Sequence, residues 1–212
     1  AVFEIPAVRL GRNIYCIECG RRMTARPAGP AEQPPARAAE GASGPGAQVE
    51  RLPLAAILDD IRSLWNVGSI FRSADGCGVE KLWLAGITGT PPRAEISRTA
   101  LGAEEQVAWE YRPDVLEAIA QARSEGYEPV VIEAGEASSS LEDFSWPEKP
   151  CLVLGNEATG VSPLVLDACV RRVSIPMCGV KESFNVAVAF GIAAHQAARA
   201  LAPANPGVVF RG

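Results

Sequence analysis

Histidine is almost absent from this sequence: His195 is the only one in 212 residues. That excludes mechanisms built on clustered imidazoles, such as a three-histidine zinc site, and leaves His-assisted nucleophilic catalysis one candidate. His195 falls in an apolar helical pattern and reads as a packed side chain. Long apolar runs are missing too. The longest, Val186 to Ala194, is far short of the roughly 20 residues that a spanning helix needs, so no membrane association is expected. The first residues, through Cys16, lack the basic start and long apolar stretch of a secretory signal, which points to a cytoplasmic protein. Basic charge is not in excess either. The formal net charge is −5, so there is no global pull toward nucleic acid and any RNA contact must be local. Six cysteines, mostly scattered, suggest reduced thiols rather than a disulfide framework, and only Cys16 and Cys19 are spaced as a pair.

What is present divides the chain. Residues 1–26 form an arm in which Arg9, Arg12, Arg21, Arg22 and Arg26 surround a lone Glu18. Residues 27–50 are dominated by Pro, Gly and Ala, too poor in bulky apolar groups to offset the entropy of ordering, and read as a linker. Residues 51–202 alternate short apolar runs with helical patterns, and residues 203–212 form a tail. The runs at 54–58, 81–86, 129–134, 151–155 and 172–176 have the look of buried parallel strands. A helix is expected from Pro113 to Gly126, with Leu116, Ile119 and Ala120 on its apolar face. Another opens at Ser162-Pro163. The last begins near Ser183 and buries Val186, Ala189, Phe190, Ala193, Ala194 and Ala197, which follow helical spacing. The alternation predicts an α/β fold with a mostly parallel sheet flanked by helices, whose ligands bind beyond the carboxyl ends of the strands.

The loops at those ends carry the chemistry. A dinucleotide fold would place G-x-G-x-x-G after the first strand, and a phosphate loop would need Gly-Lys-Ser/Thr; neither occurs. Instead the chain reads Asn66-x-Gly68-x-x-x-Arg72, with Asn66 expected to cap the helix, then Leu154-Gly155-Asn156-Glu157-x-x-Gly160, then Ile175-Pro176-Met177-x-Gly179-x-x-Glu182-Ser183-Phe184-Asn185. Each alone has a bland reading: Arg72 as a surface arginine, Glu157 as a cap or ion-pair partner, Ser183 and Asn185 as helix caps. Three in this order are much more specific.

With these motifs the sequence resembles the SpoU family, also called the TrmH family, of the SPOUT RNA methyltransferases, over residues 52 to about 200. Phe184 departs from the family's usual Leu. The resemblance implies a C-terminal trefoil knot, a homodimer, S-adenosylmethionine as cofactor, and methylation of a ribose 2′-hydroxyl of tRNA or rRNA. Carried over, the cofactor pocket comprises Leu154, Gly155, Asn156, Ile175, Met177, Phe184 and Asn185. The reacting region comprises Asn66, Arg72, Glu157, Ser183 and Asn185, with Arg72 as a cation for a 2′-oxyanion or neighbouring phosphate. No catalytic metal is implied. Cys16 and Cys19 resemble half of a zinc ribbon, a possible zinc pair that lacks two of the four ligands a structural site needs. Two rivals stand beside this reading: a knotted dimer that binds RNA or cofactor without turnover, and a nicotinamide-dependent enzyme on a doubly wound sheet, which the missing glycine fingerprint disfavours.

Overall fold

A computed structural model describes residues 13–15, 22–24, 49–135 and 138–210. The chain divides into two units, residues 1–37 and 38–212. In the first, β1 (Asn13–Tyr15) and β2 (Arg22–Thr24) pair antiparallel, with Asn13 opposite Thr24 and Tyr15 opposite Arg22. Cys16 and Cys19 lie outside the described residues.

The second unit is built on β3 (Leu52–Asp59), β4 (Val79–Ala85), β5 (Ala108–Arg112), β6 (Glu128–Ile132), β7 (Ser139–Ser140), β8 (Pro150–Leu154) and β9 (Arg171–Ser174). They form one sheet in the order β5-β4-β3-β8-β6-β9-β7, and every neighbouring pair is parallel. The helices are α1 (Leu64–Gly76), α2 (Ala94–Ala100), α3 (Val115–Ser124), α4 (Pro163–Ala168) and α5 (Val186–Leu201). Strand β3 shows why the inner strands read as unbroken apolar runs. Leu52, Leu54, Ala56 and Leu58 pack on one face with Val67, Ile70 and Phe71 of α1 and Phe190, Ala193 and Ala194 of α5. Ala55 and Ile57 face the other way, onto Ala118, Ile119 and Ala122 of α3 and Val165 of α4. Burying each large side chain contributes about 1.5–3 kcal/mol. The five expected strands are all present. The two edge strands, β5 and β7, escaped the pattern because AWEYR and the two-residue SS carry no apolar run.

Several helix details differ from expectation. The cap of α1 is Ser63, whose Oγ accepts from the Asn66 N–H at 3.3 Å, so Asn66 sits inside the first turn with its side chain available. Helix α3 begins one residue after Asp114, whose carboxylate caps the Leu116 and Glu117 N–H groups, and Pro113 precedes the cap. Its buried side is Ala118, Ile119 and Ala122, leaving Leu116 and Ala120 exposed. Helix α5 begins at Val186, capped by Asn185 through the Ala187 N–H at 2.9 Å, and not at Ser183. His195 is exposed, edge-on to Phe210 with centroids 6.1 Å apart, because it falls on the outer side of α5. No helix among the described residues is long and apolar enough to cross a membrane. Cys77, Cys151, Cys169 and Cys178 are free thiols, and burial raises the pKa of the first three, so those three are poor nucleophiles.

Candidate active site

At the carboxyl edge of the sheet, the segments following β6, β8 and β9 enclose a cleft of about 650 Å³. Leu154, Gly155, Asn156, Glu157, Ile175, Met177, Ser183, Phe184 and Asn185 all line it, so the second and third motifs meet there. Glu133, just past β6, and Glu182 also line it. Glu182 belongs to the third motif but was not named as a site residue, and Glu133 was not named at all. Glu133 carries the one usable signal, a carboxylate at the end of an apolar strand.

The loop after β8 is braced from within. The Asn156 carbonyl accepts from the Gly160 N–H at 2.9 Å, and its Oδ1 accepts from the Ala158 and Thr159 N–H groups at 2.9 and 3.2 Å. A Cβ on Gly155 would run into the Gly160 carbonyl, and Gly160 itself has φ of +68°, so both positions require glycine. Glu133 fixes the far side, accepting from the Val161 N–H at 2.9 Å.

Asn156 also reaches outward. Its Nδ2 donates to the Asp60 carbonyl at 2.8 Å. Asp60 follows β3 in a left-handed conformation with φ of 54°, which Asp and Asn adopt more readily than other non-glycine residues. Its Oδ1 accepts from the Ile87 N–H at 2.9 Å, so one residue ties the loops after β3, β4 and β8 together. Thr88 adds a second tie: its hydroxyl accepts from the Ile61 N–H and donates to the Leu58 carbonyl, both at 2.9 Å.

Held in this way, the start of α1 faces Glu157. The Glu157 carboxylate accepts from the Arg62 N–H at 2.9 Å, the Ser63 N–H at 3.1 Å and the Asn66 Nδ2 at 3.0 Å. Burial works to raise its pKa, but these donors outweigh burial and hold the carboxyl below the usual glutamate range. The chain of bonds continues: Asn66 Oδ1 accepts from Asn185 Nδ2 at 3.1 Å, and Asn185 Oδ1 caps α5. The direction of every bond is fixed by its end, because the Ala187 N–H can only donate and a carboxylate can only accept. Glu157, Asn66 and Asn185 therefore form one oriented relay that joins all three motifs. Gly68 has a packing role instead: a Cβ there would strike Thr99 and the Ile96 carbonyl, so glycine lets α1 and α2 close together.

Arg72 stands apart. It lies six residues beyond Asn66, about 9 Å along α1 and roughly 120° round its axis, and does not line the cleft. It is exposed and makes no hydrogen bond or ion pair with the described residues.

The charge of the cleft is one-sided. Three carboxylates, of Glu133, Glu157 and Glu182, line it, and no Lys, Arg or His does. Such a wall suits a cation and disfavours a pyrophosphate. No group of His, Cys, Asp and Glu among the described residues is arranged to hold a metal ion.

Comparison with known proteins agrees with this geometry. The chain is 31% identical over 147 residues to the 23S rRNA (guanosine-2'-O-)-methyltransferase RlmB of Vibrio vulnificus, covering 69% of this chain and 59% of that protein. The chain thus spans about three-fifths of the length of the curated relatives it matches. Among solved structures, the A. aeolicus TrmH/SpoU tRNA modifying enzyme superposes with a TM-score of 0.67 at 24% identity, covering 75% of this chain and 80% of that one. The SpoU methyltransferase AviRb from Streptomyces viridochromogenes, in complex with the cofactor AdoMet, gives a TM-score of 0.62 at 27% identity over 72% of this chain and 61% of that one. The SpoU rRNA Methylase family profile matches residues 53–195, which takes in all three motif loops and the relay between them. By that match the chain belongs to the SpoU rRNA Methylase family.

Proposed function

We propose that this chain is an S-adenosylmethionine-dependent RNA methyltransferase that modifies a ribose 2′-hydroxyl of tRNA or rRNA, working as a cytoplasmic homodimer with a knotted C-terminal segment. The observation that carries the reading is the cleft itself: three carboxylates and no cationic side chain, closed by an oriented relay from the three motifs. A sulfonium is a cation, and the donor set suits it. Leu154, Gly155, Asn156, Ile175, Met177, Phe184 and Asn185 would hold the cofactor, apolar side chains against its flat and aliphatic parts and main-chain groups against its polar ones. When bound, it supplies a methyl group that is already activated, so no metal and no covalent nucleophile is required.

The chain's own contribution is orientation and control of charge. Holding two reactants in line can remove about 7 to 11 kcal/mol of barrier. Glu157 anchors the start of α1 and, through Asn66, fixes the amide of Asn185; Ser183 lines the cleft beside them. Arg72 offers a guanidinium, which donates hydrogen bonds and accepts none. Its role is that of a fixed cation for the developing 2′-oxyanion or the adjoining phosphate. Because it lies outside the cleft of its own chain, the reading has the RNA run over the exposed face of α1 in the assembled pair of subunits.

The test is Arg72→Ala. Calorimetric titration is expected to find S-adenosylmethionine binding nearly unchanged, while transfer of a tritiated methyl group to total RNA is abolished. Full transfer by that variant overturns the assignment. Absence of transfer by the unaltered protein, with cofactor binding retained, would leave a binding module and overturn the enzyme reading.

A further inference from the structure

Trp65 is the one tryptophan of four that the fold leaves open, at 48% exposed; Trp83 is fully buried, and Trp109 and Trp146 pack against the core. It occupies the first turn of α1, immediately before Asn66, and its ring has no aromatic or cationic partner among the described residues. Trp65, Ser69, Arg72 and Gly76 are spaced i, i+4, i+7 and i+11 and form one stripe of α1, opposite the face that buries Val67, Ile70, Phe71 and Ala74. The stripe is an aromatic plane and a guanidinium with one small residue, Ser69, between them.

Its surroundings are cationic in a chain whose net charge is −5. Arg72, Arg93 and Arg98 are exposed, and their guanidinium groups have neither hydrogen bond nor ion pair with the described residues. The side chains of Arg93 and of Leu64, the residue before Trp65, both lie near Gly89. Arg98 precedes Thr99, whose hydroxyl donates to the Trp65 carbonyl at 3.1 Å. Of the nearby carboxylates, Asp75 is bound by Arg51 at 2.7 Å and Glu95 is half-buried on α2.

Resting on the methyltransferase reading, we propose that Trp65 is the platform on which an unpaired base of the RNA substrate stacks, with Arg93 and Arg98 holding the flanking phosphates. A base inside a duplex offers no free face, whereas one in a loop or single strand does, and any base can stack on an indole. The arginines add position without reading sequence. The substrate class that follows is RNA whose target region is looped or single-stranded.

The experiment is fluorescence anisotropy of the full chain with a short mixed-sequence oligoribonucleotide, alone and annealed to its complement. Trp65→Ala should weaken binding of the single strand about tenfold and change duplex binding little, and Trp65→Phe should restore most of the loss. Arg98→Gln should lower the salt dependence of single-strand binding by about 0.7 in log–log slope. Calorimetry with S-adenosylmethionine and light scattering for mass should give unchanged values for all three variants. Equal single-strand affinity of Trp65→Ala and the unaltered protein overturns the platform alone. A drop in mass of Trp65→Ala overturns it in favour of a contact between copies of the chain. If the unaltered protein binds neither RNA, the methyltransferase reading fails, and the platform with it.

Discussion

The loops after β8 and after β9 line the same cleft and are built in opposite ways. The first, Gly155 to Ser162, is closed on itself by the Asn156 side chain and carbonyl, requires two glycines, and is tied to the loops after β3 and β6. In the second, residues 176–184 make no backbone-to-backbone hydrogen bond among the described residues, every one of them is exposed, and Val180 stands fully in solvent. Only its last residue, Asn185, is fixed, by α5 on one side and Asn66 on the other. One wall is braced by its own hydrogen bonds and the other is held chiefly at its end, by Asn185. A site with this asymmetry can admit a ligand on the open side and still present its polar groups at fixed positions on the other.

The sharpest way to break the contrast is to remove the anchor of the rigid wall. Glu157→Gln keeps the shape but sets an amide against donors that want an acceptor. Methyl transfer, read as tritium incorporated into RNA, should fall about 100-fold, the scale expected when a small misplacement spoils alignment. Gly155→Ala should follow: a Cβ forced against the Gly160 carbonyl costs about 1–3 kcal/mol, read as a lower urea midpoint together with weakened cofactor binding.

A third test lies beneath the tied loops. Asp59, 8% exposed at the end of β3, has its pKa raised to about 6 by burial and by the nearby Asp60 and Asp114 carboxylates. The folded chain then holds a proton more tightly than the unfolded one, whose carboxyl titrates near 3.8. Its contribution to stability is therefore greatest below about pH 4 and declines as pH rises to about 6. Asp59→Asn should gain up to about 3 kcal/mol over the unaltered chain at pH 7 and little at pH 4, measured by urea unfolding at both. Smaller again is protection of the open wall: trypsin should cut after Lys181, and cofactor at ten times its Kd should slow that cut about tenfold. Smallest is Gly179→Ala, where a Cβ meets nothing, so folding and transfer should both be unchanged. A large effect there would mean that the second loop is as constrained as the first.

Much of this was legible in the sequence. The central strands β3, β6 and β8 declared themselves because both of their faces are buried, and the motif residues named for the cofactor all line one cleft. What escaped was set by neighbours distant along the chain. The edge strands carry no apolar signature, and Asn66, which sits inside α1 behind the Ser63 cap, gives its side chain to Glu157, 91 residues farther along the chain. The tie made by Asp60 could not be read at all, since nothing in the sequence tells that residue 60 would turn left-handed and receive the Ile87 N–H. Arg72 is exposed on α1, and its distance from the cleft follows from helical geometry once Asn66 is placed.

The one-way relay from the Ala187 N–H to Glu157 leaves the middle residue no latitude. Replacing the Asn66 amide nitrogen by oxygen, as in Asn66→Asp, would set a second carboxyl against the first at a spacing now near 3.0 Å. Two such groups cannot both ionise, so one proton would be shared between them, and the relay would acquire a titration of its own.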